Sequence, residues 1–150
     1  MVYWVGDGDA TGDATGDGDG DGDVDPCAPW PWDDARTISV SPSDADALPS
    51  IVGNAPSGTT IVFEDGFYDL SNANVLHVTT PNITLRSASG NRDAVVRDAG
   101  YAFGEIVLVE ADDFSIVDMT LQRCVWHPIH ITGESDSNSE NAVIYNVKVV

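Results

Sequence analysis

The chain has 150 residues, a length typical of one domain, and its 25 acidic and 6 basic residues give a formal net charge of −19. This charge disfavours nucleic acids and anionic membrane surfaces as partners, because both are polyanions that require a basic patch. No apolar run approaches the roughly 18 residues of a membrane-spanning helix, and the first residues lack the pattern of a signal peptide.

Residues 1–35 are predicted to form a disordered linker rich in Asp and Gly. They include ten of the acidic residues and no lysine or arginine. Within this segment, residues 6–25 offer almost no apolar surface that could offset the entropy of ordering. An EF-hand is not predicted, because position 12 of that loop is Ala28 and no helices flank it. The remaining alternative is weak calcium binding by four clustered carboxylates, those of Asp17, Asp19, Asp21 and Asp23.

A short amphipathic helix is predicted at the start of the folded part, residues 36–150. Ser43 can cap the N-terminus of this helix. Pro49 lies beyond the first turn and is expected to shorten it. The helix is expected to cover one end of the core with four apolar residues, Ala47, Leu48, Ile51 and Val52.

From Val75 onward the sequence repeats in rows of 22–31 residues. Segment 75–85 superposes on 106–116 at an offset of 31, and a third row begins at 129–132 at an offset of 22 and resumes at 141–150 at an offset of 28. Each row contains three short strands with alternating apolar residues, and no hairpin turn signal separates them. Such repetition predicts strands that stack row on row, each burying its apolar face against the next.

Asn or Asp recurs at the corners between these strands. Asn82 aligns with Asp113, and Asp93, Asp118 and Asn146 form a second column. Both columns are predicted turns, because Asn and Asp tolerate the left-handed backbone conformation and can bond to their own backbone.

These rows, with the preceding segment DADALPSIVGNAPSGTTIVFEDGFYDL at 44–70, resemble the right-handed parallel β-helix proteins of the pectate-lyase-like class. The resemblance covers residues 42–150. It implies an all-β solenoid with a short N-terminal capping helix and about three coils, truncated at its C-terminal end. Val147 and Val149 would be inward-facing but uncovered, so the protein is expected to continue beyond Val150 and residues 1–150 alone are expected to self-associate.

The segment 122–140 is the candidate ligand-binding region, because it contains an insertion between strands beside aromatic and charged side chains. Long turns on a rigid scaffold commonly carry binding groups. The candidate residues are Arg123, Trp126, His127, His130 and Glu134. Trp126 could stack on a sugar ring and Arg123 could pair with a carboxylate. In the alternative interpretation, Trp126 packs over the core and the polar loop is only solvated.

The histidines are not expected to form a zinc site. Alternation places His77 and His130 on the outside, two rows and about 9–10 Å apart, with Leu108 between them. His127 and His130 are three residues apart, and an extended chain would direct them to opposite sides.

Two classes of function follow from the resemblance. The first is an exported or surface-displayed scaffold that binds a polysaccharide or cell-surface glycan. The second is a polysaccharide lyase or glycoside hydrolase whose catalytic coils lie partly beyond Val150. No catalytic constellation is identified, since a lyase needs a basic residue and a charge neutraliser, and the six basic residues are dispersed. Both classes imply an extracellular or cell-surface location.

Overall fold

The computed structural model describes residues 35–133 and 138–150. The predicted linker, apart from its last residue, and the four aspartates considered for calcium lie outside these ranges, as does the candidate residue Glu134.

The chain enters the fold through β1 (Thr37–Val40), a 3₁₀ helix (Pro42–Ala47) and the one α-helix of the described ranges, α1 (Leu48–Gly53). Ser41, rather than the predicted Ser43, is the N-cap, because its backbone N–H and its hydroxyl both donate to Asp44 Oδ2 at 2.8 Å.

The predicted helix is therefore two successive short elements. Pro49 falls in the first turn of α1, where its missing N–H removes no helical hydrogen bond. Leu48 and Val52 are buried as predicted, whereas Ala47 is exposed and Ala45 is buried instead.

Eleven further strands follow: β2 (Thr59–Phe63), β3 (Gly66–Asp69), β4 (Leu76–Val78), β5 (Ile83–Ser87), β6 (Val95–Asp98), β7 (Glu105–Val109), β8 (Ser115–Val117), β9 (Thr120–Gln122), β10 (His127–Ile131), β11 (Val143–Tyr145) and β12 (Lys148–Val149). Together with β1 they form sheets of five (β1-β2-β5-β8-β11), three (β10-β7-β4) and four strands (β12-β9-β6-β3). Every pairing is parallel, and from β2 to β12 the chain visits the three sheets in strict rotation. A mostly β fold with parallel sheets is thus confirmed.

The strand registers match the offsets read from the sequence. Leu76 pairs with Val107 and Leu85 pairs with Ile116, both at the offset of 31. Ile129 pairs with Val107 at the offset of 22. These registers align buried and partly buried apolar residues of neighbouring rows, so the apolar columns stack as predicted.

The corners adopt the predicted left-handed conformation. Asn82, Asp113 and Asn141 have φ values of 59°, 56° and 56°, and Asp118 and Asn146 have values of 56° and 49°. Neighbouring corners are bonded to each other: the Asn141 amide donates to Asp113 Oδ1 at 3.1 Å and the Asn146 amide to Asp118 Oδ1 at 2.7 Å.

The assignment of Asp93 to the second corner column is wrong. The pairing of Val96 with Thr120 places Ala94, not Asp93, level with Asp118. Seven residues separate β5 from β6 but only two separate β8 from β9. Because these turns differ in length, aligning β6 with β9 by sequence alone gave a register wrong by one residue. Asp93 instead accepts an exposed hydrogen bond from Lys148 Nζ at 2.9 Å.

The buried core takes side chains from all three sheets and from α1, among them Leu48, Ile61, Leu76, Leu85, Val107, Ile116 and Leu121. Tyr68 is also fully buried, and its hydroxyl donates to the carbonyls of Val40 (3.0 Å) and Glu64 (2.8 Å). Within the described ranges, no helix is long and apolar enough to cross a membrane.

Candidate functional site

The candidate site lies on the outer face of the three-stranded sheet, where β10 pairs with β7. His127 pairs with Glu105 and His130 pairs with Leu108, which in turn pairs with His77 of β4. The predicted outward column of His77, Leu108 and His130 is therefore confirmed.

The prediction that His127 and His130 point to opposite sides is wrong. Their ring centroids are 5.3 Å apart with an interplanar angle of 41°. In the neighbouring strand, Ile106 and Val107 are consecutive and both fully buried. These two buried residues interrupt the alternation of inward and outward side chains in β7. Residues three positions apart therefore share the outer face, both in β7 and in the paired strand β10, where they are His127 and His130.

Glu105 joins the two histidines. Its Oε1 lies 2.6 Å from His130 Nδ1 and 3.9 Å from His127 Nδ1. The Glu105 side chain is 22% exposed, against 43% for His130 and 63% for His127. Sequence reasoning missed Glu105, although the offset of 22 places it directly beside His127.

A second histidine–carboxylate pair lies on the same sheet. His77 Nε2 is 2.7 Å from Glu110 Oε2, and both side chains are partly exposed. This pair has one histidine where the Glu105 cluster has two.

Trp126 lies next to the cluster, at the turn that leads into β10. Its indole rests directly against Gly104, because a Cβ atom added to that glycine would lie 2.6 Å from Trp126 Cε3. The backbone N–H groups of Trp126 and His127 both donate to the Gly104 carbonyl at 3.0 Å. Even so, Trp126 is 73% exposed. The residue thus closes a turn through its backbone while one side of its ring remains open to solvent.

Arg123 has a structural role that the sequence did not indicate. Its Nε donates to both oxygens of Asp98, at 2.8 and 2.9 Å, and the Asp98 side chain is only 1% exposed. Burial alone would raise the pKa of Asp98, but hydrogen bonds from Arg123, Gln122 and the Gly100 N–H outweigh it and lower that pKa below its usual value. Arg123 therefore stabilises a buried carboxylate and is not part of the histidine cluster.

The structure thus brings together Trp126, His127 and His130, adds Gly104 and Glu105, and places Arg123 in a separate contact. Comparison of the chain with protein-family models, curated proteins and solved structures gives no match.

Proposed function

We propose that this chain forms a right-handed parallel β-helix of the pectate-lyase-like class, exported or displayed at the cell surface. Three features support the proposal: parallel pairing throughout, strict rotation of the chain among three sheets, and stacked left-handed Asx corners. In such an arrangement each row covers the apolar residues of the row before it.

The function that the site supports best is glycan binding by the outer face of β7 and β10, with Trp126 as the main contact. The observation that carries this proposal is an indole that is 73% exposed yet fixed against a glycine backbone. A large apolar ring held in one orientation loses little entropy when a flat apolar ligand surface covers it. The two faces of a sugar ring offer such a surface.

Polar groups next to the indole suit the hydroxyl groups of a sugar. His127, His130 and Glu105 offer hydrogen-bond donors and acceptors on the same face. The net charge of −19 favours a neutral glycan over a polyuronate, because like charges repel unless a cation bridges them.

A lyase or hydrolase receives less support from this part of the chain. A lyase would need a basic side chain directed at the bound sugar. Each of the six basic residues, however, has a partner outside the histidine cluster: Arg36 with the Ser57 carbonyl, Arg86 with the Ser87 carbonyl, Arg92 with Asn146, Arg97 with Met119, Arg123 with Asp98 and Lys148 with Asp93.

Glycan binding can be tested with Trp126→Ala and the matched control Phe67→Ala. Phe67 is also an exposed aromatic, at 52%, but it lies on β3 of a different sheet. Covering about 80 Å² of indole at about 25 cal/mol/Å² contributes about 2 kcal/mol, or roughly 30-fold in affinity. Binding to a panel of neutral polysaccharides and polyuronates is measured by calorimetry with EDTA present.

We expect Trp126→Ala to weaken binding roughly 30-fold while Phe67→Ala leaves it unchanged. Unfolding curves of both variants should match that of the parent chain, since both side chains are largely exposed. The proposal fails if no glycan of the panel binds, or if the two variants weaken binding equally.

A further inference from the structure

Three side chains on adjacent strands converge at one point of the outer face. One ligand atom from each of Glu105, His127 and His130 lies within 4.8 Å of the other two. We propose that these residues bind a divalent transition metal of the zinc class. This inference does not depend on glycan binding, because it uses the three side chains alone.

The distances fit a single tetrahedral ion. Bonds of about 2.0–2.1 Å to nitrogen and oxygen at a tetrahedral angle place ligand atoms about 3.3 Å apart. On binding an ion, Glu105 Oε1 would move away from His130 Nδ1, now 2.6 Å distant and hydrogen-bonded, and closer to His127 Nδ1, now 3.9 Å distant. Two imidazoles on one such ion have ring centres about 5 Å apart, and those of His127 and His130 are 5.3 Å apart.

The ligands are supplied by regular structure. Glu105 and His127 are directly paired residues of β7 and β10, and His130 is three positions further along the second strand. Strand positions hold side chains more accurately than loops do, so little reorganisation is needed when a metal binds.

The ligand set selects the class of metal. Two imidazoles and one carboxylate suit zinc, nickel, copper or iron, whereas calcium and magnesium require mainly oxygen ligands. The high negative charge of the chain raises the local concentration of any divalent cation.

The site would leave coordination positions open. It has three protein ligands, and two of them are 63% and 43% exposed, so water or a ligand oxygen can complete the shell. Trp126 is the residue before His127, and the backbone N–H groups of both donate to the Gly104 carbonyl.

Zinc titration of the full chain tests the proposal. Cys27 and Cys124 are replaced by serine in all samples, because thiols bind zinc and the Cys124 thiol is bonded to the Gly104 carbonyl next to the site. Millimolar magnesium occupies the weak carboxylate sites of the acidic segment. Zinc affinity is measured by competition with a chromophoric chelator for the parent chain and for His127→Ala, His130→Ala and His77→Ala.

We expect one zinc per chain, with affinity lowered at least about tenfold by His127→Ala and by His130→Ala. The control His77→Ala removes a histidine from the other histidine–glutamate pair of the same sheet and should leave the affinity within twofold. Electron paramagnetic resonance of bound Cu²⁺ should show two imidazole nitrogens in the parent chain and one in each single variant.

Either of two results would overturn the site. The first is the absence of stoichiometric zinc binding under these conditions, which would leave Glu105 and the histidines as a hydrogen-bonded group only. The second is zinc affinity that neither His127→Ala nor His130→Ala lowers, or that His77→Ala lowers as much as they do. Either outcome would place the metal elsewhere.

Discussion

Arg97 is the group whose replacement should change stability most clearly. It is fully buried on β6, in an inward column between Tyr68 and Leu121. Its Nη1 contacts Met119 Sδ at 3.5 Å, and its guanidinium lies 5.2 Å from the centre of the Phe63 ring. Within the part of the chain that the structure describes, its Nε and Nη2 have no hydrogen-bond partner. A buried cation with two unpaired donors costs folding free energy.

We predict that Arg97→Met stabilises the fold by about 2 kcal/mol at pH 7. Relief of two unpaired donors is worth about 1–3 kcal/mol each, and loss of the contact with Phe63 costs up to about 2 kcal/mol. The net value lies in the range of about 1–4 kcal/mol found when buried ionic groups give way to apolar ones of similar volume. The measurement is equilibrium urea unfolding of the two chains, with Phe67→Met as an exposed control.

The gain should depend on pH in one direction. Burial lowers the pKa of Arg97 to about 9, well below its ordinary value. Below pH 9 the guanidinium is charged in both the folded and the unfolded state, so the folded chain bears the whole cost of burying it. Above pH 9 the folded state releases the proton first, and the advantage of Arg97→Met should shrink by about 1 kcal/mol between pH 7 and pH 10.

A destabilised Arg97→Met chain would refute this reasoning, because it would show that Arg97 makes compensating interactions worth more than its burial costs. A gain that is the same at pH 7 and pH 10 would equally show that burial does not set the charge state of this side chain.

Two further predictions concern a buried carboxylate and a sheet edge. Arg123→Ala should lower the free energy of unfolding at pH 7, because Asp98 loses its charged partner but keeps other donors. That partner helps to lower the Asp98 pKa, so the stabilisation is present at neutral pH and is lost as the pH falls through the lowered pKa of Asp98. The two chains should therefore converge in acidic urea unfolding, and equal stability at pH 7 would contradict the assigned role. Val149 is 59% exposed on β12, an edge strand, so Val149→Lys should reduce the predicted self-association in analytical ultracentrifugation. The control Phe67→Lys, on β3 at the opposite edge of the sheet, should not reduce it. A parent chain that is monomeric at high concentration would contradict the prediction.

The stacking of rows could be predicted from the sequence in detail. Leu76, Val107 and Ile129 occupy one column because parallel neighbours bury the same face, and this repeats apolar residues at fixed offsets. The corners formed by Asn and Asp could also be predicted, since few other residues tolerate a positive φ. Asp93 was misplaced because the lengths of the intervening turns are not fixed by the repeat.

Only part of the candidate site could be predicted from the sequence. Trp126, His127 and His130 were identified by residue type and by their position beside an insertion, but their mutual geometry was not. Period-two alternation assumes an uninterrupted pleat, and the consecutive burial of Ile106 and Val107 breaks it.

The sequence by itself therefore determined the parallel rows, their registers and their corners, because those depend on local chemistry repeated at regular intervals. Only the tertiary structure decided that His127 and His130 share a face with Glu105, that Gly104 supports Trp126 and that Arg123 belongs to Asp98. Each of these depends on where a side chain meets a residue of the neighbouring row. One interruption of the pleat changes which side chains of neighbouring rows lie side by side. It leaves unchanged the apolar pattern from which the rows were predicted.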